Sequence, residues 1–210
     1  MIRQISIGSL SLCLSLHIGA HSPAPIKLEF SEDQLQEELQ FSQSVSKQLA
    51  SSLKQTLMDA IKHGGLSGGI EQCRIVAPNI SARLQKQHPS KLISAGRTSL
   101  KIRNPNNQAT PWQEIQLRDF DQSSSLGHKP AYRYRFVNLN GRYALEYMSP
   151  IPTQGLCLNC HGEQLSPEVL DTLKTLYPND QAQGYRAGDI RGAFIIRSWL
   201  DESMNEKNRH

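Results

Sequence analysis

Residues 130–161 read PAYRYRFVNLNGRYALEYMSPIPTQGLCLNCH. Tyr132, Tyr134 and Phe136 alternate with Arg133 and Arg135, and Tyr143, Leu145 and Tyr147 alternate beyond Asn140-Gly141. Side chains on a strand point to opposite faces in turn, so a period of two marks strands with one face buried. Asn-Gly between two such runs is a strong hairpin signal, because both residues tolerate positive φ. The stretch therefore predicts an antiparallel hairpin. It ends in Cys157-Leu158-Asn159-Cys160-His161, a C-x-x-C-H motif.

Working outward, residues 167–176 suggest a short helix. Residues 193–197 (AFIIR) are nearly all apolar and predict a central strand. On the other side lie a brief helix over 112–120, a loop rich in Arg, Asn and Pro (97–111), and a short apolar segment at 92–95. Ile70, Cys73, Ala77, Ile80 and Leu84 share one helical face, and Pro78, which lacks an amide donor, is expected to kink or divide that helix. Before it, Ser31 and Gln34 form a capping box. Leu35, Leu39, Val45, Leu49, Leu53, Leu57 and Ile61 then carry a helix of about eight turns to Lys62. Gly64-Gly65 is its expected stop. Helices followed by an antiparallel sheet make the fold class α+β. The four tyrosines 132, 134, 143 and 147 are read as cross-strand core packing, the alternative being that they line the face of a cofactor.

At the N-terminus, Arg3 precedes an uncharged, mostly apolar run over residues 5–20, the length of a signal-peptide core and short for a membrane span. Cleavage is expected after Ala20 or Ser22. The organisation read from the sequence is a cleaved signal (1–22), a spacer and N-terminal helix (23–63), a main domain (64–200) and a polar tail (201–210). The mature chain is then periplasmic, with no transmembrane anchor. Leu12 is too bulky for a lipobox, so Cys13 is expected to leave with the signal.

Composition narrows the function classes. The 210 residues are 38% hydrophobic and 20% charged, enough for one core and far from collagen-like or disordered chains. A net charge of +4 with no long basic run gives no footprint for nucleic acid. Gly68-Gly69 is not a phosphate loop, because no Lys-Ser/Thr follows it. Four cysteines, at 13, 73, 157 and 160, look compatible with disulfides until the motif is read.

C-x-x-C-H is the attachment motif of c-type haem. Two thiols three residues apart can add to the two haem vinyl groups, and the adjacent His161 reaches the iron from the proximal side. One covalent haem c is thus expected on Cys157 and Cys160, with a haem-maturation machinery as an obligatory partner. Two other readings compete: a Cys₃His zinc site using Cys73, Cys157, Cys160 and His161, and a redox dithiol. For the sixth iron ligand the residues leave open Met58, Met148, Met204, His63, His88, His128 and Cys73. Arg97, Lys101 and Arg103 are candidate contacts for the haem propionates.

Four blocks carry a family resemblance: residues 70–81 (IEQCRIVAPNIS), 96–107 (GRTSLKIRNPNN), 130–161 and 185–194 (YRAGDIRGAF). In this order they resemble a bacterial family of PAS-like c-type haem domains, over about residues 64–197. The resemblance implies a PAS-like antiparallel sheet flanked by helices and His/Cys axial ligation, here by His161 and Cys73. Thiolate ligation in turn implies a low reduction potential. The expected function is a redox- or small-gas-responsive (NO or CO) monohaem module acting through an unidentified periplasmic partner. The alternative is an electron carrier, and no substrate pocket for an enzyme such as a peroxidase is legible.

Overall fold

The computed structural model describes residues 31–202. The signal segment, Cys13, Met204 and most of the polar tail lie outside the described residues. In chain order the elements are α1 (Glu32–Gln87), β1 (Leu92–Thr98), α2 (Pro111–Ser125), β2 (Arg133–Leu139), β3 (Arg142–Pro152), α3 (Gly155–His161), α4 (Pro167–Leu176) and β4 (Ile190–Trp199).

Element α1 opens on the expected capping box: Ser31 Oγ accepts from Gln34 N at 3.2 Å, and Gln34 Oε1 accepts from Ser31 N at 2.9 Å. Its backbone leaves helical values at Gly64 (φ −130°) and Gly65 (φ 64°), where the stop was expected. Helix resumes at once, and the two arms lie side by side and antiparallel. Glu38 pairs with Lys91 just beyond the far end of α1, and Phe41 meets the His88 ring edge-on with centroids 5.3 Å apart. Near the bend, a Cβ on Gly69 would sit 2.9 Å from Ile61 Cγ1 and 3.2 Å from Leu57 Cδ1. All these pairs are placed symmetrically about Gly64-Gly65. The positive φ of Gly65 makes the turn at little cost, since glycine lacks the Cβ that would clash there.

Pro78 does not divide the second arm: the non-helical backbone inside α1 is confined to the two glycines. Pro78 and Arg74, whose carbonyl loses its amide partner, both face solvent, where water can satisfy that carbonyl.

The sheet is antiparallel throughout, in the order β1-β4-β3-β2. Strand β4 is central, as its apolar run predicted. Asn140 (φ 55°) and Gly141 (φ 85°) form the hairpin turn, which sets Phe136 opposite Leu145 and Tyr134 opposite Tyr147. One sheet face (Tyr143, Leu145, Tyr147, Ile196) packs on Leu39, Val45, Leu49, Ile80 and Leu84 from both arms of α1. The other carries Met148, Ala193 and Ile195 against Leu117 and Phe120 of α2. Glu146 is fully buried on that second face, bound by Arg135 (Nε–Oε2 2.7 Å), Arg197 (Nη2–Oε1 3.1 Å) and Gln113 (Nε2–Oε1 2.9 Å). A lone buried carboxylate would be expensive, and these donors offset its desolvation. The fold is α+β, with the antiparallel sheet flanked by helices that the family resemblance implied. Tyr143 and Tyr147 are buried, Tyr132 stacks on Tyr147 at 5.3 Å, and Tyr134 is half exposed.

Filling the contact between the arms should unfold them from one another. Gly69→Leu is expected to cost about 1–3 kcal/mol by overpacking, read as a fall of several degrees in thermal midpoint. An unchanged midpoint would show that the arms do not meet at Gly69.

Candidate functional site

Four chain segments meet beside the β1 end of the sheet. The second arm of α1 brings Cys73, on the same face as the buried Ile70. Strand β1 and the turn after it bring Arg97, Lys101 and Arg103. Helix α3 brings Cys157, Cys160 and His161, and the stretch from Asp180 to Arg191 closes the group. Cys160 packs on the cluster of Ile70, Val169 and Leu173 that joins α1 to α4. Ser67 Oγ reinforces that joint, donating to Glu168 Oε1 at 2.8 Å.

Cys73, Cys157 and Cys160 are all free thiols, with no disulfide among them. Among the described residues no three His, Cys, Asp or Glu side chains converge as a metal-holding group. The four candidate zinc ligands are therefore not gathered into one tetrahedron.

His161 ends α3, and its Nδ1 lies 2.7 Å from the Ala182 carbonyl oxygen. A carbonyl only accepts, so Nδ1 carries the proton and Nε2 keeps its lone pair. This is the tautomer an imidazole needs to bind a metal through Nε2, with the other nitrogen oriented by a backbone carbonyl. Burial, reinforced by the positive charges of Arg191 and Arg103, pushes the His161 pKa down to about 2, so the ring is neutral across the physiological range.

The Ala182 carbonyl is itself held in place. Arg103 forks onto Asp180 (Nε–Oδ1 and Nη2–Oδ2, both 3.0 Å) and also donates to the carbonyls of Cys160 (2.6 Å) and Ala182 (3.3 Å). Backbone bonds from Tyr185 N to His161 O and from Gly184 N to Gly162 O, both 3.0 Å, stitch the same loop to the end of α3. A Cβ on Gly162 would lie 2.5 Å from Leu158 O, so the chain can turn off α3 here only without a side chain.

The three basic candidates thus differ in what they touch. Arg103 is engaged by the loop. Lys101 sits over the Tyr185 ring, 4.9 Å from its centroid, and reaches Gln183 O at 3.3 Å. Arg97 faces the Cys73 thiol and Tyr177 rather than a carboxylate, and burial pulls its pKa down. Burial likewise raises the Cys73 pKa against the opposing pull of Arg97 and Arg103. Cys73 lies one turn beyond Ile70, on which Cys160 packs, and this brings it near the motif. The other sixth-ligand candidates are placed elsewhere or are otherwise engaged: Met148 is buried against α2, His88 packs on Phe41, His63 contacts Asp59 O, Met58 is largely exposed and His128 is exposed.

Asp180, the Ala182 carbonyl, Tyr185 and Arg191 carry no role in the sequence reading. The last two fall in the matched block over residues 185–194. Asp180 and Arg103 are 77 positions apart and give no local signal.

Sheet and site together define an α+β domain with a C-x-x-C-H centre set between a helical hairpin and the sheet edge. The chain belongs to the Tll0287-like family, whose model matches residues 28–198, and this bears out the family resemblance of the four blocks. The crystal structure of the cyanobacterial haem protein Tll0287 aligns with it at 20% identity, over 80% of this chain and 95% of that one, with a TM-score of 0.48. No curated protein matches the sequence. No helix of the described residues is long and apolar enough to cross a membrane.

Asp180 offers a test of the loop. Burial pushes its carboxyl pKa up, but hydrogen bonds from Arg103, Gln183 and Ala182 N outweigh this and hold it below the ordinary range. With its folded value depressed, its contribution to stability is complete above a pH of about 4 and lost as pH falls through that lower value. Asp180→Asn should lower the thermal midpoint at pH 7 and flatten the decline on acidification. Identical midpoints at pH 7 would rule the clamp out.

Proposed function

We propose that this chain is an exported, periplasmic monohaem protein with haem c bound covalently to Cys157 and Cys160, and with His161 and Cys73 as axial ligands. The observation that carries the reading is the His161 tautomer. An imidazole directly after C-x-x-C, with Nδ1–H fixed on a backbone carbonyl and Nε2 free, is set for proximal ligation. Membership of the Tll0287-like family, whose namesake is a haem protein, supports the same cofactor. The donor set also fits: two free thiols for attachment, a third beside them, and in Arg97 a largely enclosed cation that faces no carboxylate. Propionates are anions suited to such a cation, so Arg97 is the strongest of the three proposed propionate contacts.

Bound here, haem would supply a one-electron couple and, once an axial position opens, a site for CO or NO. The chain's own contribution is to hold and orient. Cys157 and Cys160 fix the group to α3, Ala182 aims the imidazole, and Cys73 presents sulfur from a separate helix, α1. We read the role as redox or small-gas response, because the distal donor sits on an element of its own rather than on the attachment loop. A periplasmic electron carrier is the second reading. A redox titration with and without CO separates the two: ligand exchange on reduction marks the sensor, and a reversible couple with both ligands retained marks the carrier.

Protein expressed with a c-haem maturation system should give the pyridine haemochrome spectrum of a haem with both vinyl groups saturated. A colourless product would overturn the reading. Cys73→Ser should change the ferric low-spin EPR signal and raise the potential, because thiolate is the stronger donor. An unchanged signal would remove Cys73 from the ligand set.

A further inference from the structure

We propose that Arg191 is a positioning residue that acts through His161: a fixed cation beside the axial imidazole that raises the reduction potential of the centre. The inference rests on the haem reading above and concerns the regulation of that same site. Arg191 lies near the start of β4, and its Nε is 3.2 Å from His161 Nδ1. Its Nη1 donates to Ser99 Oγ at 3.1 Å, and the guanidinium lies over the Tyr185 ring, 5.3 Å from the centroid. Tyr185 in turn meets the His161 ring edge-on with centroids 6.4 Å apart. The guanidinium is therefore held from two sides and cannot swing away without losing both contacts.

Two donors converge on one nitrogen. Nδ1 cannot donate to Ala182 O and accept from Arg191 at the same time, and a guanidinium stays protonated in proteins. The 2.7 Å contact with the carbonyl assigns the proton to Nδ1. Nε of Arg191 then faces an N–H group, and the approach is a close cation rather than a hydrogen bond. Arg103, the other cation acting on His161, is paired with Asp180. Arg191 makes no ion pair of this kind among the described residues; Asp180, already paired with Arg103, acts on it only from beyond contact distance, so much of its charge is left to act on the ring.

The consequence follows from Coulomb's law. Reduction adds one electron, so the centre loses one positive charge. A nearby cation repels the oxidised state more than the reduced one and favours reduction. It also draws electron density from the imidazole, weakening its donation. Arg191 would thus work against a Cys73 thiolate ligand, which would pull the potential down.

The test is a mediated redox titration of the haem-loaded protein, with dithionite as the reductant. Arg191→Gln should shift the oxidised-to-reduced ratio at fixed potential about tenfold toward oxidised, which for one electron is ~59 mV downward. Arg191→Lys keeps a charge and should stay close to the parent. Equal falls in the Gln and Lys variants would mean a packing role and overturn the proposal. A Gln variant within twofold of the parent would overturn it too, while leaving the haem reading intact. Should the Gln variant yield no folded holoprotein, Ser99→Ala decides: release of Nη1 should lower the potential in the same direction, and no shift sinks the idea. A parent protein with no haemochrome spectrum would remove the haem reading and this inference together.

Discussion

The hydrogen bond from His161 Nδ1 to the Ala182 carbonyl is the contact on which the site depends. It selects one tautomer of one ring, and so decides which nitrogen is available for chemistry. The acceptor is a backbone oxygen, which no substitution at position 182 can remove directly, so its placement falls to the loop around it. Arg103 and Asp180 supply that placement, and the backbone pairing of residues 184 and 185 with the end of α3 completes it. The sequence-local motif is therefore aimed by residues far from it in the chain.

The rest of the architecture explains how four distant segments reach one place. Strand β4 is central, so β1 on one side and β3 on the other are registered against the same strand. That brings Arg97 and Ser99, at the end of β1, to the start of β4, where Arg191 leaves the loop. The helical hairpin covers the opposite side, and its second arm carries Cys73 past α3. Each arm of α1 buries leucine or isoleucine on the same sheet face, so the position of Cys73 is tied to the core and not to a loop.

How much of this was legible depends on the range of the interaction. The β2–β3 hairpin was readable because alternation and Asn140-Gly141 are local signals that agree. The Ser31 capping box and the apolar β4 were readable for the same reason. Strand β1 was not: in LISAGRT only positions 92, 95 and 98 are buried, a spacing that fits neither a half-buried strand nor a continuous apolar run. Gly64-Gly65 read correctly as a stop but not as a reversal, since the direction of the second arm is set by contacts such as Phe41 with His88. Gly68-Gly69 held an unread clue to close helix approach. Helix runs through Pro78 undivided because its exposure, invisible in the sequence, leaves the freed carbonyl to water. In the site, the cysteines and His161 were visible as a motif, whereas the Arg103–Asp180 clamp and the crowding of His161 by Arg191 exist only in three dimensions.

The central place of β4 also orders the making of this protein. The sheet cannot close until its middle strand has been synthesised, and that strand follows the C-x-x-C-H segment by some thirty residues. β1 must wait about a hundred residues for β4, its partner in the sheet, a pairing of the slow, non-local kind. In the last thirty residues of that interval Cys157 and Cys160 are presented on a chain whose closing loop has yet to dock. Any enzyme that must act on both thiols has its opportunity then, before Arg103 and Ala182 lock the end of α3. Strand order thus fixes the sequence in which the parts of the site can come together.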